Sequence, residues 1–302
     1  MISQANGLAQ NISESFIEKK ISIKWPWAAL QPGFLPINTK IFNNGFIEKQ
    51  LPSTIITCGR RSIYASLYLK RKLKKKLVSI HIQNPKININ NFDYLVVPNH
   101  DDMKGNNVIT SVGALHHLTY DKINNAKKIF DYPKNKEIVV IIIGGENKHY
   151  NFDKNTINEL LKKIKKLNNN ENKYYYIFVP SRRTDDSIIK FIKDYFKDEY
   201  FIWDKKIENP YLFSLKIGNY FIVTSDSTSM ISEAAYTGKP VFVYQLPFKR
   251  KSKRIENFHR EFEKKGITRS FDEILYQWTY EPLNEAKRIA KMINERINNN
   301  EQ

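Results

Sequence analysis

Short apolar runs that alternate with amphipathic stretches constrain the fold of this chain more than any other feature. In the second half the apolar runs are EIVVIIIGG (137–145), YYYIFVP (174–180), EYFIW (199–203), NYFIVT (219–224) and PVFVY (240–244). Helix-like patterns such as NTINELLKKIKKL and DSIIKFIKDYF separate them. Continuous apolar strands alternating with helices are typical of parallel sheets that helices cover on both faces. We therefore predict an α/β fold built on doubly wound, Rossmann-like sheets.

The first half contains a similar series, so the chain is predicted to form two domains. Its strand-like runs are STIITC (53–58), LVSIHIQ (77–83), DYLVVP (93–98) and VITSV (108–112). The segment 118–137 then contains a helical pattern, a proline and a charged loop. We place the boundary there, which predicts domains at 1–131 and 132–302. The final helical segment, 281–297, is expected to cross back and pack on the first domain.

The first domain lacks the strand with which a doubly wound domain normally opens. The helix-like segment SQANGLAQ starts at residue 3, with no apolar run before it. We expect that the first strand and its tight turn are missing from this sequence, and that the genomic sequence upstream of Met1 encodes them.

The net charge of +18 admits an anionic partner without requiring one. Lysine-rich runs such as KRKLKKK (70–76) are typical of solvated helix faces, whereas KRKSKR (249–254) lies beside a candidate site. That cluster indicates an anionic membrane surface, a phosphate clamp or a plain surface loop. No recognised nucleic-acid-binding module is present, so no nucleic-acid partner is predicted.

Other features of the sequence predict a cytoplasmic protein, to which the cluster 249–254 adds a peripheral position on the inner face of the membrane. The longest apolar run, IVVIIIGG, is too short to span a bilayer. The N-terminus lacks the pattern of a signal peptide. A single cysteine, Cys58, excludes an internal disulfide and a Cys-rich zinc site.

Polar loops follow three apolar runs of the second half. In open parallel sheets, ligands bind beyond the carboxyl ends of the strands. The candidate residues of the first two loops are Gly144, Gly145, Asn147, Lys148, Ser181, Arg182 and Arg183. Glycines let a ligand approach the backbone, and guanidinium groups at a helix start favour a phosphate. A tight turn, and a helix cap with surface arginines, explain these loops equally well.

The third loop, TSDSTSMISE, combines small polar residues with a carboxylate inside a helix. Its candidate residues are Ser225, Asp226, Ser227, Thr228, Ser229 and Glu233. Asp226, Ser229 and Glu233 are spaced to share one helix face. A carboxylate at Glu233 can accept hydrogen bonds from a ribose diol, and the helix start can hold a diphosphate. Asp226 or Ser227 as a helix cap, and Glu233 as a solvated side chain, are the alternatives.

Polar loops also follow the strand-like runs of the first half. Their candidate residues are Gly59, Arg60, Arg61, Gln83, Asn84, His100, Asp101 and His116. His100 beside Asp101 fits a general base with an orienting carboxylate, and fits a simple turn equally well. No histidine spacing typical of a metal site occurs, so neither a metal nor a cofactor is predicted.

The order of these motifs resembles that of the mitochondrial fission ELM1 family. The resemblance runs from residue 3 to about 275 through IITCGRRS, HIQNP, FDYLVVPNHDD, VITSVGALHHLT, IIIGGENKHY, VPSRRT and VTSDSTSMISEAAYTGKPVFVY. Bacterial members are often labelled predicted nucleoside-diphosphate-sugar epimerases. This chain, however, has no G-x-x-G-x-x-G turn after an N-terminal strand and no Tyr-x-x-x-Lys catalytic pair in the context that a short-chain epimerase needs. The C-terminal half of the family is similar to GT-B glycosyltransferases, in which two Rossmann-like domains face each other across a cleft.

The resemblance implies a metal-independent glycosyltransferase that uses a nucleotide diphosphate sugar as substrate. The loops of the second half would bind this donor, and those of the first half would face an acceptor, with His100 or Asp101 as the base. The alternative is a non-catalytic GT-B-like scaffold, since the plant member acts by recruiting a dynamin-related protein. The sugar, the acceptor and the oligomeric state are not predicted.

Overall fold

A computed structural model describes residues 1–43, 51–168, 172–197 and 199–300. The chain divides into two compact units. Unit 1 comprises Met1–His117 and Asn284–Gln302, and unit 2 comprises Leu118–Leu283. Residues 118–131, which the predicted boundary assigns to the first domain, are therefore part of unit 2 in this structure, and the C-terminal helix is part of unit 1.

Both units consist of parallel strands and helices. The strands are β1 (Thr54–Cys58), β2 (Val78–Ile82), β3 (Tyr94–Pro98), β4 (Val108–Ser111), β5 (Glu137–Ile143), β6 (Tyr174–Pro180), β7 (Phe201–Ile202), β8 (Tyr220–Thr224), β9 (Val241–Tyr244) and β10 (Thr268–Ser270). The α-helices are α1 (Ile2–Ile12), α2 (Ile63–Leu73), α3 (Tyr120–Asn124), α4 (Lys154–Lys166), α5 (Asp186–Phe196), α6 (Tyr211–Ile217), α7 (Thr228–Ala235), α8 (Lys253–Lys264) and α9 (Glu285–Asn300). The predicted α/β class is confirmed, because every strand pairing within these sheets is parallel.

Unit 1 contains a four-stranded sheet in the order β1-β2-β3-β4, with helices on both faces. Alternate side chains of β3 show this arrangement. Val96 packs in one core with Leu8 of α1 and Ile289 of α9, whereas Leu95 packs in a second core with Ile63 of α2. The continuous apolar run of this strand is thus explained by burial on both faces.

The sheet of unit 1 ends at β1, beside an open groove of about 1550 Å³. Ile2, Phe16, Ile17 and Leu51 line this groove together with β1. All four side chains are exposed, which is unusual for large apolar residues that line one groove. The groove is therefore an apolar surface of unit 1 that the described residues leave open to solvent.

Unit 2 contains a six-stranded sheet in the order β10-β9-β8-β5-β6-β7. In chain order, β5 comes first; β6 and β7 lie on one side of it, and β8, β9 and β10 lie on the other. Val139, Ile141 and Ile143 of β5 pack in a core with Ile157 and Leu161 of α4. The strand order reverses between β5 and β8, and such a switch point is where doubly wound sheets bind ligands.

The predicted strands of unit 2 are confirmed, with two differences. EYFIW shortens to Phe201–Ile202, and β10 was not predicted, because its three residues carry no apolar pattern. Among the described helices, none combines the length and the apolar content that crossing a bilayer requires.

Candidate functional site

The loops that follow β5, β6 and β8 meet at the carboxyl edge of the unit 2 sheet. Thr224, the last residue of β8, donates from Oγ1 to Oδ1 of Asp226 at 2.7 Å and accepts from the backbone N–H of Gly144 at 2.8 Å. The N–H of Gly145 donates to Oδ2 of Asp226 at 3.2 Å. The loops after β5 and β8, separated by about 80 residues of chain, are therefore bonded directly to each other.

Arg183 joins the loop after β6 to this junction. One guanidinium nitrogen donates to Oδ2 of Asp226 at 2.6 Å, and the other donates to the carbonyl of Gly145 at 3.0 Å. The side chain of Asp226 is fully buried, whereas that of Arg183 is 42% exposed. The carboxylate of Asp226 therefore lies beneath the loops and orients Arg183, and the guanidinium is the group that faces solvent.

Gly144 and Gly145 are needed because the three loops approach so closely. A Cβ on Gly144 would overlap the carboxylate of Asp226, and a Cβ on Gly145 would overlap the backbone carbonyl of Arg183. Protein groups therefore approach both glycines closely. Their first role is to let Asp226 and Arg183 reach their places.

The loop after β6 forms a turn before α5 rather than the first turn of the helix. α5 begins at Asp186, and Asp185 caps it by accepting from the N–H of Ser187 at 2.8 Å. Ser181 is therefore not the helix cap. Its hydroxyl accepts instead from the N–H of Arg183 at 3.1 Å. Arg182 is exposed in the same turn.

Asn147 shapes the loop after β5 from within. Its side-chain oxygen accepts from the N–H of His149 and of Tyr150, at 2.8 and 3.1 Å, and its amide nitrogen donates to the carbonyl of Asp226 at 3.3 Å. Lys148 is exposed on this loop. Of the two predicted donors, Lys148 faces solvent and Asn147 is committed to protein groups.

The loop after β8 leads into α7, with Ser227 as its cap. The Ser227 hydroxyl accepts from the N–H of Met230 at 3.4 Å, which decides between the two predicted caps. Ser225 is buried, and its hydroxyl accepts from the N–H of Leu246 at 3.0 Å. Thr228 and Ser229 form the first turn of the helix, and Ser229 is exposed.

Glu233 lies in the second turn of α7, where it contacts a residue that sequence reasoning did not single out. The phenol of Tyr211, the first residue of α6, donates to Oε2 of Glu233 at 2.8 Å. Burial raises the pKa of the Glu233 carboxyl, and the hydrogen bond from Tyr211 acts in the opposite direction. Nothing in the sequence near Tyr211 indicates this contact, because it joins the start of one helix to the second turn of another.

The basic segment 249–254 begins beside the loop after β5. The N–H groups of Lys249 and Arg250 both donate to the carbonyl of His149, at 2.8 and 3.1 Å. The ammonium group of Lys249 also lies 3.2 Å from a carboxylate oxygen of Glu146. The start of this segment is thus fixed at the same edge of unit 2 as Gly144 and Arg183.

The candidate residues of unit 1 also follow strand ends. Gly59, with φ of +86°, follows β1, and Arg60 and Arg61 after it are exposed. Gln83 follows β2 and donates to Oε1 of Gln4 on α1 at 3.1 Å. The carboxamide oxygen of Asn84 accepts from the N–H of Lys86 at 2.9 Å, which forms a local turn.

Protein groups mostly enclose His100 and Asp101, the predicted general base and its carboxylate, and also His116. Nε2 of His100 lies 3.9 Å from Oδ1 of Asp101, and their side chains are 8% and 7% exposed. His116 is buried. Across the described ranges of the chain, no group of three or more His, Cys, Asp or Glu side chains is arranged to hold a metal ion.

Several solved structures resemble this chain at low sequence identity. The UDP co-structure of MnaA from S. aureus matches with a TM-score of 0.45 and 10% identity, over 82% of this chain and 75% of that one. The UDP-GlcNAc 2-epimerase from Neisseria meningitidis bound to UDP-GlcNAc matches with a TM-score of 0.46 and 14% identity, over 82% of this chain and 76% of that one.

Two curated relatives are similar in sequence. The uncharacterized protein RP120 of Rickettsia prowazekii (strain Madrid E) is 29% identical over 336 aligned residues, which cover 96% of this chain and 93% of the relative. The mitochondrial fission protein ELM1 of Arabidopsis thaliana is 26% identical over 277 residues, which cover 82% of this chain but 64% of the plant protein. The family model described as Mitochondrial fission ELM1 matches residues 1–297. The chain therefore belongs to the mitochondrial fission ELM1 family.

Proposed function

We propose that unit 2 binds a nucleoside diphosphate, as the nucleotide part of a nucleotide diphosphate sugar, at the carboxyl edge of its sheet. The observation that carries this proposal is the guanidinium of Arg183, which two hydrogen bonds orient and which remains partly exposed at the switch point. An oriented arginine is the side chain best suited to bind phosphate oxygens in two-point fashion.

The start of α7 complements Arg183 as an anion site. The free N–H groups at the start of a helix favour phosphate, and Thr228 and Ser229 add hydroxyl donors there. Glu233 lies six residues after the cap, which is about 9 Å along the helix axis. A nucleotide whose diphosphate sits at the helix start can thus reach this carboxylate with its ribose hydroxyls.

Sugar transfer from the bound donor is the activity that we propose for this site. Arg183 and the start of α7 would stabilise the departing diphosphate, because charge develops there as the glycosidic bond breaks. The acceptor residues proposed in unit 1 are Gly59, Arg60, Arg61, Gln83, Asn84 and His116, with His100 or Asp101 as the base. The second candidate function, a non-catalytic scaffold, is supported by the enclosure of His100 and Asp101.

We also propose an anionic membrane surface as a partner of the basic segment 249–254. Its position beside the loop after β5 would bring such a surface close to the nucleotide. A lipid-linked acceptor on the inner face of the membrane would suit this arrangement.

Thermal unfolding in the presence of ligands tests nucleotide binding. A ligand at 100 times its Kd should stabilise the folded protein by about 2.7 kcal/mol. UDP, GDP, ADP, CDP, TDP and their sugars are screened at millimolar concentration, and at least one is expected to raise the melting temperature. Glu233→Gln should weaken its binding about tenfold, since one charged acceptor is lost. Glu159→Gln, an exposed glutamate of α4, is the control.

No change in melting temperature with any of these nucleotides would contradict the proposal. An assay for release of the nucleoside diphosphate from the bound nucleotide sugar would distinguish the two candidate functions. Release would indicate a transferase, and binding without release would indicate a scaffold.

A further inference from the structure

We propose that Tyr211 is a positioning residue, whose hydroxyl holds one carboxylate oxygen of Glu233 so that the other oxygen is presented to the ribose of a bound nucleotide. This inference rests on the proposed nucleotide binding and adds to it the group that orients the ribose contact. Tyr211 does not itself need to touch the ligand.

The geometry of the contact supports a directional role. The Tyr211 hydroxyl donates to Oε2 of Glu233 at 2.8 Å, a good distance for a hydrogen bond to a carboxylate. Within the described part of the chain, no hydrogen bond to Oε1 accompanies it. One oxygen is therefore occupied, and the second retains lone pairs that can accept from a hydroxyl group.

The helix that carries Tyr211 is held at both ends. The N–H of Tyr211 donates to the side chain of Asn209 at 3.0 Å. At the other end, the ammonium group of Lys239 donates to the carbonyls of Lys216 and Gly218, at 2.9 and 2.6 Å. Since α6 is fixed in this way, the phenol is a rigid reference point for a flexible glutamate side chain.

The same hydrogen bond favours the ionised form of Glu233. A carboxylate accepts more hydrogen bonds than a carboxylic acid, so a ribose diol is bound best when Glu233 is charged. Burial alone raises the pKa of Glu233, and the bond from Tyr211 offsets part of that effect. The pKa of Tyr211 is itself raised well above its usual value by burial and by the nearby carboxylate, so the phenol remains a donor at neutral pH.

The test compares ribose with deoxyribose nucleotides on Tyr211→Phe, which removes only the hydroxyl. The nucleoside diphosphate that binds the wild-type protein and its 2′,3′-dideoxy analogue are titrated by calorimetry. In the wild-type protein we expect the ribose form to bind about tenfold more tightly. In Tyr211→Phe this preference should fall to near unity, with the affinity for the dideoxy analogue unchanged.

Three further measurements distinguish positioning from a structural role. Glu233→Gln should remove the same preference, and the double variant should lose no more than either single variant, because the two side chains act through one contact. As the pH falls and the Glu233 carboxylate is protonated, the ribose preference of the wild-type protein should disappear, whereas Tyr211→Phe should show little preference at any pH. Tyr195→Phe on α5 is the matched control and should behave as the wild-type protein does.

The outcomes separate this inference from the proposed function. If the wild-type protein binds no nucleoside diphosphate, both are overturned. If it binds one and Tyr211→Phe weakens the ribose and dideoxy forms equally, or keeps the full preference, nucleotide binding stands and the positioning role is overturned. Tyr211→Leu, which also lacks the hydroxyl, should reproduce the loss, and circular dichroism melting shows whether each variant is folded.

Discussion

At the scale of single residues, His81 shows how burial sets the charge of a side chain away from the candidate site. It lies fully buried in β2, with Nδ1 2.8 Å from the hydroxyl of Thr57 and its ring stacked on Phe92 at 5.0 Å. Among the described residues, its Nε2 has no hydrogen-bond partner. Burial lowers the pKa of His81 to about 3, so the residue is neutral in the folded protein at pH 7.

This lowered pKa predicts that acid destabilises unit 1. Between pH 6.5 and 3 the unfolded chain binds a proton at His81 that the folded chain does not, so the free energy of unfolding falls as the pH falls. At pH 4.5 the loss from this one group is about 2.7 kcal/mol. His81→Gln should flatten the dependence of unfolding on pH between 7 and 4.5, as urea titrations can measure. An unchanged slope in His81→Gln would contradict this account.

At the scale of elements, the site of unit 2 depends on how closely three strand-end loops pack. β5 lies between β6 and β8 in the sheet, so the loops that follow these strands emerge side by side. Asp226 and the glycines after β5 then hold Arg183 in place. Three segments that are far apart in the chain thus together position the exposed guanidinium of Arg183.

Gly145→Ala tests this packing. The added Cβ would overlap the backbone carbonyl of Arg183, which cannot move without shifting the loop after β6. We expect a loss of about 1–3 kcal/mol in the free energy of unfolding, typical of overpacking, and weaker nucleotide binding as Arg183 is displaced. Chemical denaturation measures the first effect and calorimetry the second. Asn155→Ala on the exposed side of α4 is the control, and a Gly145→Ala variant as stable as this control would refute the interpretation.

At the scale of the whole molecule, the charge of +18 is spread over the chain, but the basic segment 249–254 concentrates five cations in six residues. Phe248, just before the segment, stacks on buried Tyr150 at 4.8 Å and is only half-exposed. It is therefore part of the packing of unit 2 and offers little apolar anchor. Any membrane attraction by this segment should be electrostatic, and so sensitive to salt.

Vesicle co-sedimentation tests this attraction. Each cation near an anionic surface contributes about 1 kcal/mol, so binding should require anionic lipid and weaken as salt increases. A variant with serine at the five cationic positions should lose most of the binding. The matched control replaces five lysines of α4 by serine: Lys154, Lys162, Lys163, Lys165 and Lys166. Equal binding to neutral vesicles, or an equal loss in both variants, would exclude a specific role of the segment.

The sequence by itself determined the α/β class, the position of most strands and the family. Buried parallel strands require continuous apolar runs, and this requirement is local, so runs such as EIVVIII can be recognised without knowing their neighbours. The boundary between the units and the short strand β10 were harder to predict from the sequence, because no regular pattern of apolar residues marks either of them.

Only the tertiary structure decided which candidate side chains face solvent and which support them. From the sequence, Asp226, Arg183 and Glu233 are all candidate nucleotide-binding residues. In the structure, Asp226 is buried under Arg183, and Tyr211 contacts Glu233. The physical reason is that these contacts depend on the order of strands in the sheet. Any order of parallel strands has the same local pattern of apolar runs, and the loops after β5, β6 and β8 meet because the observed order places these three strands side by side.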